Sequence, residues 1–192
     1  MRRRREAAIA GHRGDEAAAR ALLQDGDPAV RATALGALAR AGALRTADLE
    51  QALADTDAVV RRRACEEAVA VLEVDLVPLL ADADTSVVEA AAWALGERGD
   101  AATGAVDALS SVARSHDDAL CREAAVAALG AIGDRRGLDT VLAAASSDRP
   151  AVRRRAVVAL AAFDGPEVDA ALRAALSDRD WQVRQAAEDL LS

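Results

Sequence analysis

The chain reads as an all-α solenoid, about six helix-turn-helix units stacked in sequence behind an N-terminal half unit. Three observations predict this class. Apolar anchors at Val30, Val60, Val87, Cys121, Val152 and Val183 recur 30, 27, 34, 31 and 31 residues apart, and a sustained period in this range marks units that bury their apolar faces only against neighbours. Each anchor follows one or more Asp residues, is usually succeeded by Arg, and opens an Ala-rich run of helical spacing. Hydrophobic residues make up 52% of the chain but aromatics only 2%, so the core is built from Ala, Leu and Val, whose small side chains let helices approach towards the short end of the ~8–10 Å range.

In chain order, residues 5–15 (REAAIAGHRGD) align with residues 89–100 (EAAAWALGERGD). Both end in a Gly-x-x-Gly-Asp turn that returns at 130–134. Residues 1–14 are therefore expected to form a lone second helix capping the first complete unit, with Arg2, Arg3, Arg4 and Arg5 partly solubilising it. The units then read DPAVRATALGALARAG from Asp27, DAVVRRRACEEAV from Asp57, DTSVVEAAAWALGERG from Asp84, DALCREAAVAALGAIG from Asp118, RPAVRRRAVVALAAF from Arg149 and DWQVRQAAEDLLS from Asp180. Each unit should pair two antiparallel helices. In the second, Thr46 to Ala54 is the first helix and Val59 to about Leu72 the next, about thirteen helices in all counting the lone one. Residues 165–192 should cap the far end of a single domain spanning 1–192, Glu188 taking the slot filled elsewhere by Leu35, Val126 or Val157.

The polar residues of the turns have structural work. Asp27, Asp57, Asp84, Asp118 and Asp180 stand where a side-chain oxygen satisfies the free N–H groups of a helix start. Gly42, Gly99 and Gly133 stand where a helix ends in a left-handed residue. Pro28 and Pro150 fall in the first turn, where the missing N–H costs little. The pairs Asp25/Asp27, Asp55/Asp57, Asp82/Asp84 and Asp178/Asp180 lack the further oxygen ligands and closing acid of a calcium loop. They read as caps, aided by pairing with Arg31, Arg61, Arg122, Arg153 and Arg184. Val88 breaks that series in the third unit, and His116 holds a turn position that is Asp elsewhere.

These aligned units resemble HEAT repeats, in particular the short-period subclass also called phycobilisome-lyase-like or E-Z type, over essentially the whole chain. The resemblance implies a right-handed superhelix whose second helices line a concave face. It implies little about function, because the repeat serves many unrelated proteins. The expected role is a non-enzymatic scaffold or adaptor that takes a protein or peptide in its groove. The alternatives are a HEAT-like nucleic-acid-binding or DNA-repair protein of glycosylase type, and an accessory subunit or lyase-like chaperone for chromophore attachment. HEAT-repeat hydroxylases hold iron on repeated His-Glu pairs, and this chain has no His-Glu dipeptide.

No cofactor or metal centre is expected. Two Cys cannot make a disulfide framework, and Cys65 and Cys121 occupy apolar slots. All 24 basic residues are Arg, read as a genome's codon preference, and the net charge is −8. That balance argues against a general nucleic-acid binder. Apolar runs fall short of the ~18–20 residues of a membrane span, and no secretory pattern opens the chain. A bacterial, cytoplasmic, monomeric protein is expected.

At 100° per residue from the anchor, offsets of four, eight and eleven are buried, and offsets of two, three, six, nine and ten face away. The exposed stripe then carries Arg4, Arg5, His12, Thr33, Gly36, Arg40, Arg62, Arg63, Glu66, Glu89, Trp93, Glu97, Glu123, Arg154, Arg155, Val158, Gln185 and Asp189. Partner binding is assigned to Trp93, Glu89, Glu97, Arg62, Arg63, Glu66, Glu123, Arg154, Arg155 and Arg40. Trp93 is the expected anchor, six residues past Val87 and flanked by glutamates. Trp181 is expected to pack between the terminal helices.

Overall fold

The computed structural model describes residues 2–192, which form twelve α-helices and no strand. They are α1 (Arg2–Arg13), α2 (Glu16–Ala21), α3 (Pro28–Arg40), α4 (Thr46–Leu53), α5 (Ala58–Glu67), α6 (Thr85–Glu97), α7 (Val106–Ser115), α8 (Ala119–Ile132), α9 (Leu138–Ser147), α10 (Pro150–Ala159), α11 (Pro166–Ala175) and α12 (Trp181–Leu191). Contacts concentrate in two compact units, up to Ala91 and from Ala92 on. In the first, α1 packs on α3 and α3 on α5. In the second, α8 packs on α10 and α10 on α12, with α7, α9 and α11 alongside. This is the α-solenoid class that the repeats predict.

The anchors Val30, Val60, Val87, Cys121, Val152 and Val183 are all 2% exposed or less. Asp27, Asp57, Asp118 and Asp180 each accept the N–H two residues on, at 2.8–2.9 Å. Asp84 does the same for Ser86. His116 caps as its position suggests, its Nδ1 accepting the N–H of Asp118 at 3.1 Å. Gly133 ends α8 at φ 67°, and its N–H reaches back to the Leu129 carbonyl.

One element departs from the reading. α5 stops at Glu67 instead of running to about Leu72, because the N–H of Ala68 turns back to both Ala64 and Cys65. The chain then crosses an irregular stretch that buries Val74 and Leu76. Only 27 residues separate this anchor from the next, too few for a full α-helix here, and Val77–Ala81 forms a 3₁₀ turn with Pro78 at its start. That turn takes the thirteenth helix's place.

Two side-chain devices tie repeats together. The first is an arginine ladder. Arg31, Arg61, Arg122 and Arg153 each send Nη1 to a carbonyl of their own inter-helix turn (Asp25, Asp55, His116 and Asp148) at 2.7–2.8 Å. Their Nε and Nη2 clasp a carboxylate of the following turn (Asp55, Asp82, Asp148 and Asp178) at 2.6–2.8 Å. Such bidentate, charge-assisted pairs are the strong class of hydrogen bond. At the N-terminal end Arg3 approaches Asp25 at 3.0 Å. The clasp by Arg153 holds Asp178 down to about 2 against the opposing effect of burial. Arg61 and Arg122 lower Asp82 and Asp148 in the same way. For Asp55 burial pushes upward, but the hydrogen bonds from Arg31 and from the Asp57 N–H together outweigh it.

The second device is close helix contact at glycine. Gly11, Gly96 and Gly130 share one register and meet Ala37, Ala128 and Ala159, which also share one. A Cβ at Gly11 or Gly130 would lie 2.7 or 2.6 Å from the alanine Cβ, and one at Gly96 would lie 3.0 Å from the Ala128 Cα. Only glycine admits this separation.

Candidate binding surface

The same helical phase that buries the anchors turns a stripe of each second helix outward. In the first unit this stripe runs over α1, α3, α5 and the start of α6. Arg4, Arg5, Arg40 and Arg62 are exposed, while Arg63, Glu66 and Glu89 are half-buried. The α5 charges answer one another: Arg62 donates to Glu66 at 3.0 Å, and Arg63 reaches Glu66 at 3.2 Å and Glu67 at 2.5 Å. These α5 residues, assigned to partner binding from the sequence, form an internally paired cluster. Gly36, placed on the exposed stripe by its offset, is buried instead. The Arg63 guanidinium lies over it where a side chain would collide. Helical phase alone does not see a long side chain folding across from the next helix.

In the second unit the stripe runs over the rest of α6, then α8, α10 and α12. Trp93 is 48% exposed and Val158 likewise. Glu97 is exposed, and Glu123, Arg154 and Arg155 are half-buried. Arg155 lies 3.5 Å from Glu123 across α8 and α10. Beside this pair a shallow trough of about 340 Å³ is floored by Ala127, Gly130, Ala131 and Ala162 and edged by Val158 and Arg155. The trough exists because glycine and alanine hold these helices close and fill little space.

Trp181 is 64% exposed and does not pack between the terminal helices as expected. It stands two residues before its anchor, 200° round the helix from the core side. Leu120, one residue before its anchor, is 58% exposed for a related reason. The offsets before the anchor held this signal, which counting forward from it left unused.

The remaining chemistry is muted. Burial pushes the Cys65 thiol up to about 12, far from a reactive thiolate, and Cys121 is fully buried. Among the described residues no three His, Cys, Asp or Glu side chains gather as a metal would need. No described helix is long and apolar enough to cross a membrane.

Comparison with known proteins places this geometry. No curated protein matches the chain in sequence. Solved structures resemble it at low identity. An engineered protein superposes with TM-score 0.66 at 22% identity, over 92% of this chain and 95% of that one. A designed armadillo repeat protein in complex with the peptide (KR)4 gives 0.62 at 18%, over 99% and 97%. The complex of CpcE and CpcF of phycocyanin lyase from Nostoc sp. PCC7120 gives 0.62 at 22%, over 92% and 75%. At these identities the likeness concerns the fold alone. The family model for HEAT repeats matches residues 46–129 and 106–192, and the chain belongs to that family.

Proposed function

We propose that the chain is a non-enzymatic interaction module that binds a protein or peptide on the outward stripes of its second helices. Arg40, Arg62, Arg63, Glu66 and Glu89 would contribute from the first unit, and Trp93, Glu97, Glu123, Arg154 and Arg155 from the second. The observation that carries this reading is Trp93. A solenoid needs only its buried positions for stability, yet here the bulkiest side chain type stands 48% exposed on a surface otherwise rich in alanine. Exposed Trp amid small residues is the makeup of an interface anchor. The paired charges of α5 and of Glu123 with Arg155 fix a pattern that selects register more than affinity.

A nucleic-acid partner fits less well, since a phosphate backbone following the second unit's stripe meets Glu97 and Glu123. An accessory role in chromophore attachment draws support only from the shared fold. Affinity capture from native cells tests the proposal, with Trp93→Ala as the paired bait. The variant should fold normally and lose partner affinity by about 2 kcal/mol or more. Partners retained equally by both baits, or DNA bound tightly at physiological salt, would refute it.

A further inference from the structure

We propose, on the reading that the second-helix stripes are the binding surface, that the partner segment held by the second unit is an amphipathic α-helix. It lies along α8 in the trough, antiparallel to it, with its N-terminal end beside Glu97. Trp93, Ala127 and Val158 each stand six residues past an anchor, so they lie level on α6, α8 and α10. Trp93 and Val158, both 48% exposed, rise on either side of Ala127. The floor beside them is Ala127, Gly130, Ala131 and Ala162. It is flat because Gly96 of α6 meets Ala128 and Gly130 of α8 meets Ala159, which holds the three helices close.

Hydrogen bonding dictates a helix. An extended peptide carries an open N–H and C=O at nearly every residue, and burying each without a partner costs about what a lost hydrogen bond does. The trough has few partners to give. Arg155 is the one polar side chain of its lining, a guanidinium accepts no hydrogen bond, and the chain contains no Asn. The backbone beneath is already spent inside α8 and α10. A helix closes its own backbone bonds, and a floor of Ala and Gly lets it approach towards the short end of helix-packing distances. Charge sets the direction. α8 and α10 run parallel, Glu123 lying by Arg155 near their starts and Gly130 by Ala159 near their ends. Exposed Glu97 is the last residue of α6, ten past its anchor, and half-buried Arg154 is two past its own, so about 12 Å separates them along the stripe. A carboxylate at a helix C-terminus is opposed by that helix's own dipole. The positive N-terminal end of an antiparallel partner helix relieves Glu97, and its negative C-terminal end falls towards Arg154.

Two displayed peptide libraries selected against the full chain test this. One presents randomised faces on a three-turn helical scaffold, and the other is linear with proline at every third position, which forbids a helix. Binders should come from the helical library and lose at least tenfold in affinity against Trp93→Ala. They should lose as much against Ala131→Arg, a change at an exposed site to a good helix former. A nitroxide on the N-terminus of the best helical binder should broaden the amide signals of Glu97 and Ala131 more than those of Glu123 and Arg154. Proline-library binders that depend on Trp93 would overturn the helix and leave the binding surface standing, whereas binders of either kind indifferent to Trp93→Ala would sink both. The helix is also overturned by an empty helical selection, by undiminished binding to Ala131→Arg, or by stronger broadening at Glu123 and Arg154.

Discussion

Arg153 is 2% exposed and spends three hydrogen bonds on Asp178 and the Asp148 carbonyl. Arg2 bonds Glu6 at 3.2 Å on a side chain 93% exposed. Breaking a buried pair strands a charge and typically costs about 3–5 kcal/mol, whereas exposed pairs contribute about 0–1 kcal/mol. Asp178→Ala should accordingly destabilise by several-fold more than Glu6→Ala in urea melts. The ladder also sets an acid response. Asp178 has a depressed folded pKa of about 2, so its contribution is fully present above the unfolded carboxylate pKa and is lost as pH falls through the folded one. Urea midpoints should hold above about pH 4 and decline towards pH 2, with a shallower decline in Asp178→Asn. The ladder arginines were legible because Arg follows the anchor. Their true partner was not, since sequence suggested the nearby caps and the structure gives the carboxylate of the following turn.

At the scale of helices, the glycine contacts make a prediction that propensity alone gets wrong. Alanine is favoured over glycine inside a helix by about 1 kcal/mol, so Gly130→Ala looks stabilising. Its Cβ would lie 2.6 Å from that of Ala159, and overpacking of this kind costs about 1–3 kcal/mol. Gly130→Ala should lower the melting temperature, while Gly104→Ala, with nothing within 4 Å, should not. The shortened α5 shows what pattern reading misses at this scale. Val69, Val71 and Leu72 continue an apolar helical rhythm, yet the short spacing to Val87 draws Val74 and Leu76 into the core and ends the helix early.

At the scale of the molecule, stability is a sum of neighbour interactions rather than the property of one core. Leu129, 1% exposed in α8, should cost about 2–5 kcal/mol on truncation to Ala. Amide exchange should rise first in α7, α8 and α10, which pack together; a uniform rise over every helix would contradict the repeat picture. Both tryptophans are exposed, so Trp93 emission, read in a Trp181→Phe background, should be red-shifted and open to quenchers. A blue-shifted, quencher-resistant Trp93 would remove it as an anchor. The sequence by itself determined the repeat, the helical phase, the caps and the exposure of Trp93, because each depends on periods of a few residues or on recurrence along the chain. Only the tertiary structure decided that Arg63 covers Gly36, that Glu66 and Glu123 hold their neighbouring arginines, and that the ladder arginines clasp the carboxylate of the following turn. Those outcomes depend on which long, flexible side chain reaches which atom on the next element, and no periodicity encodes that reach.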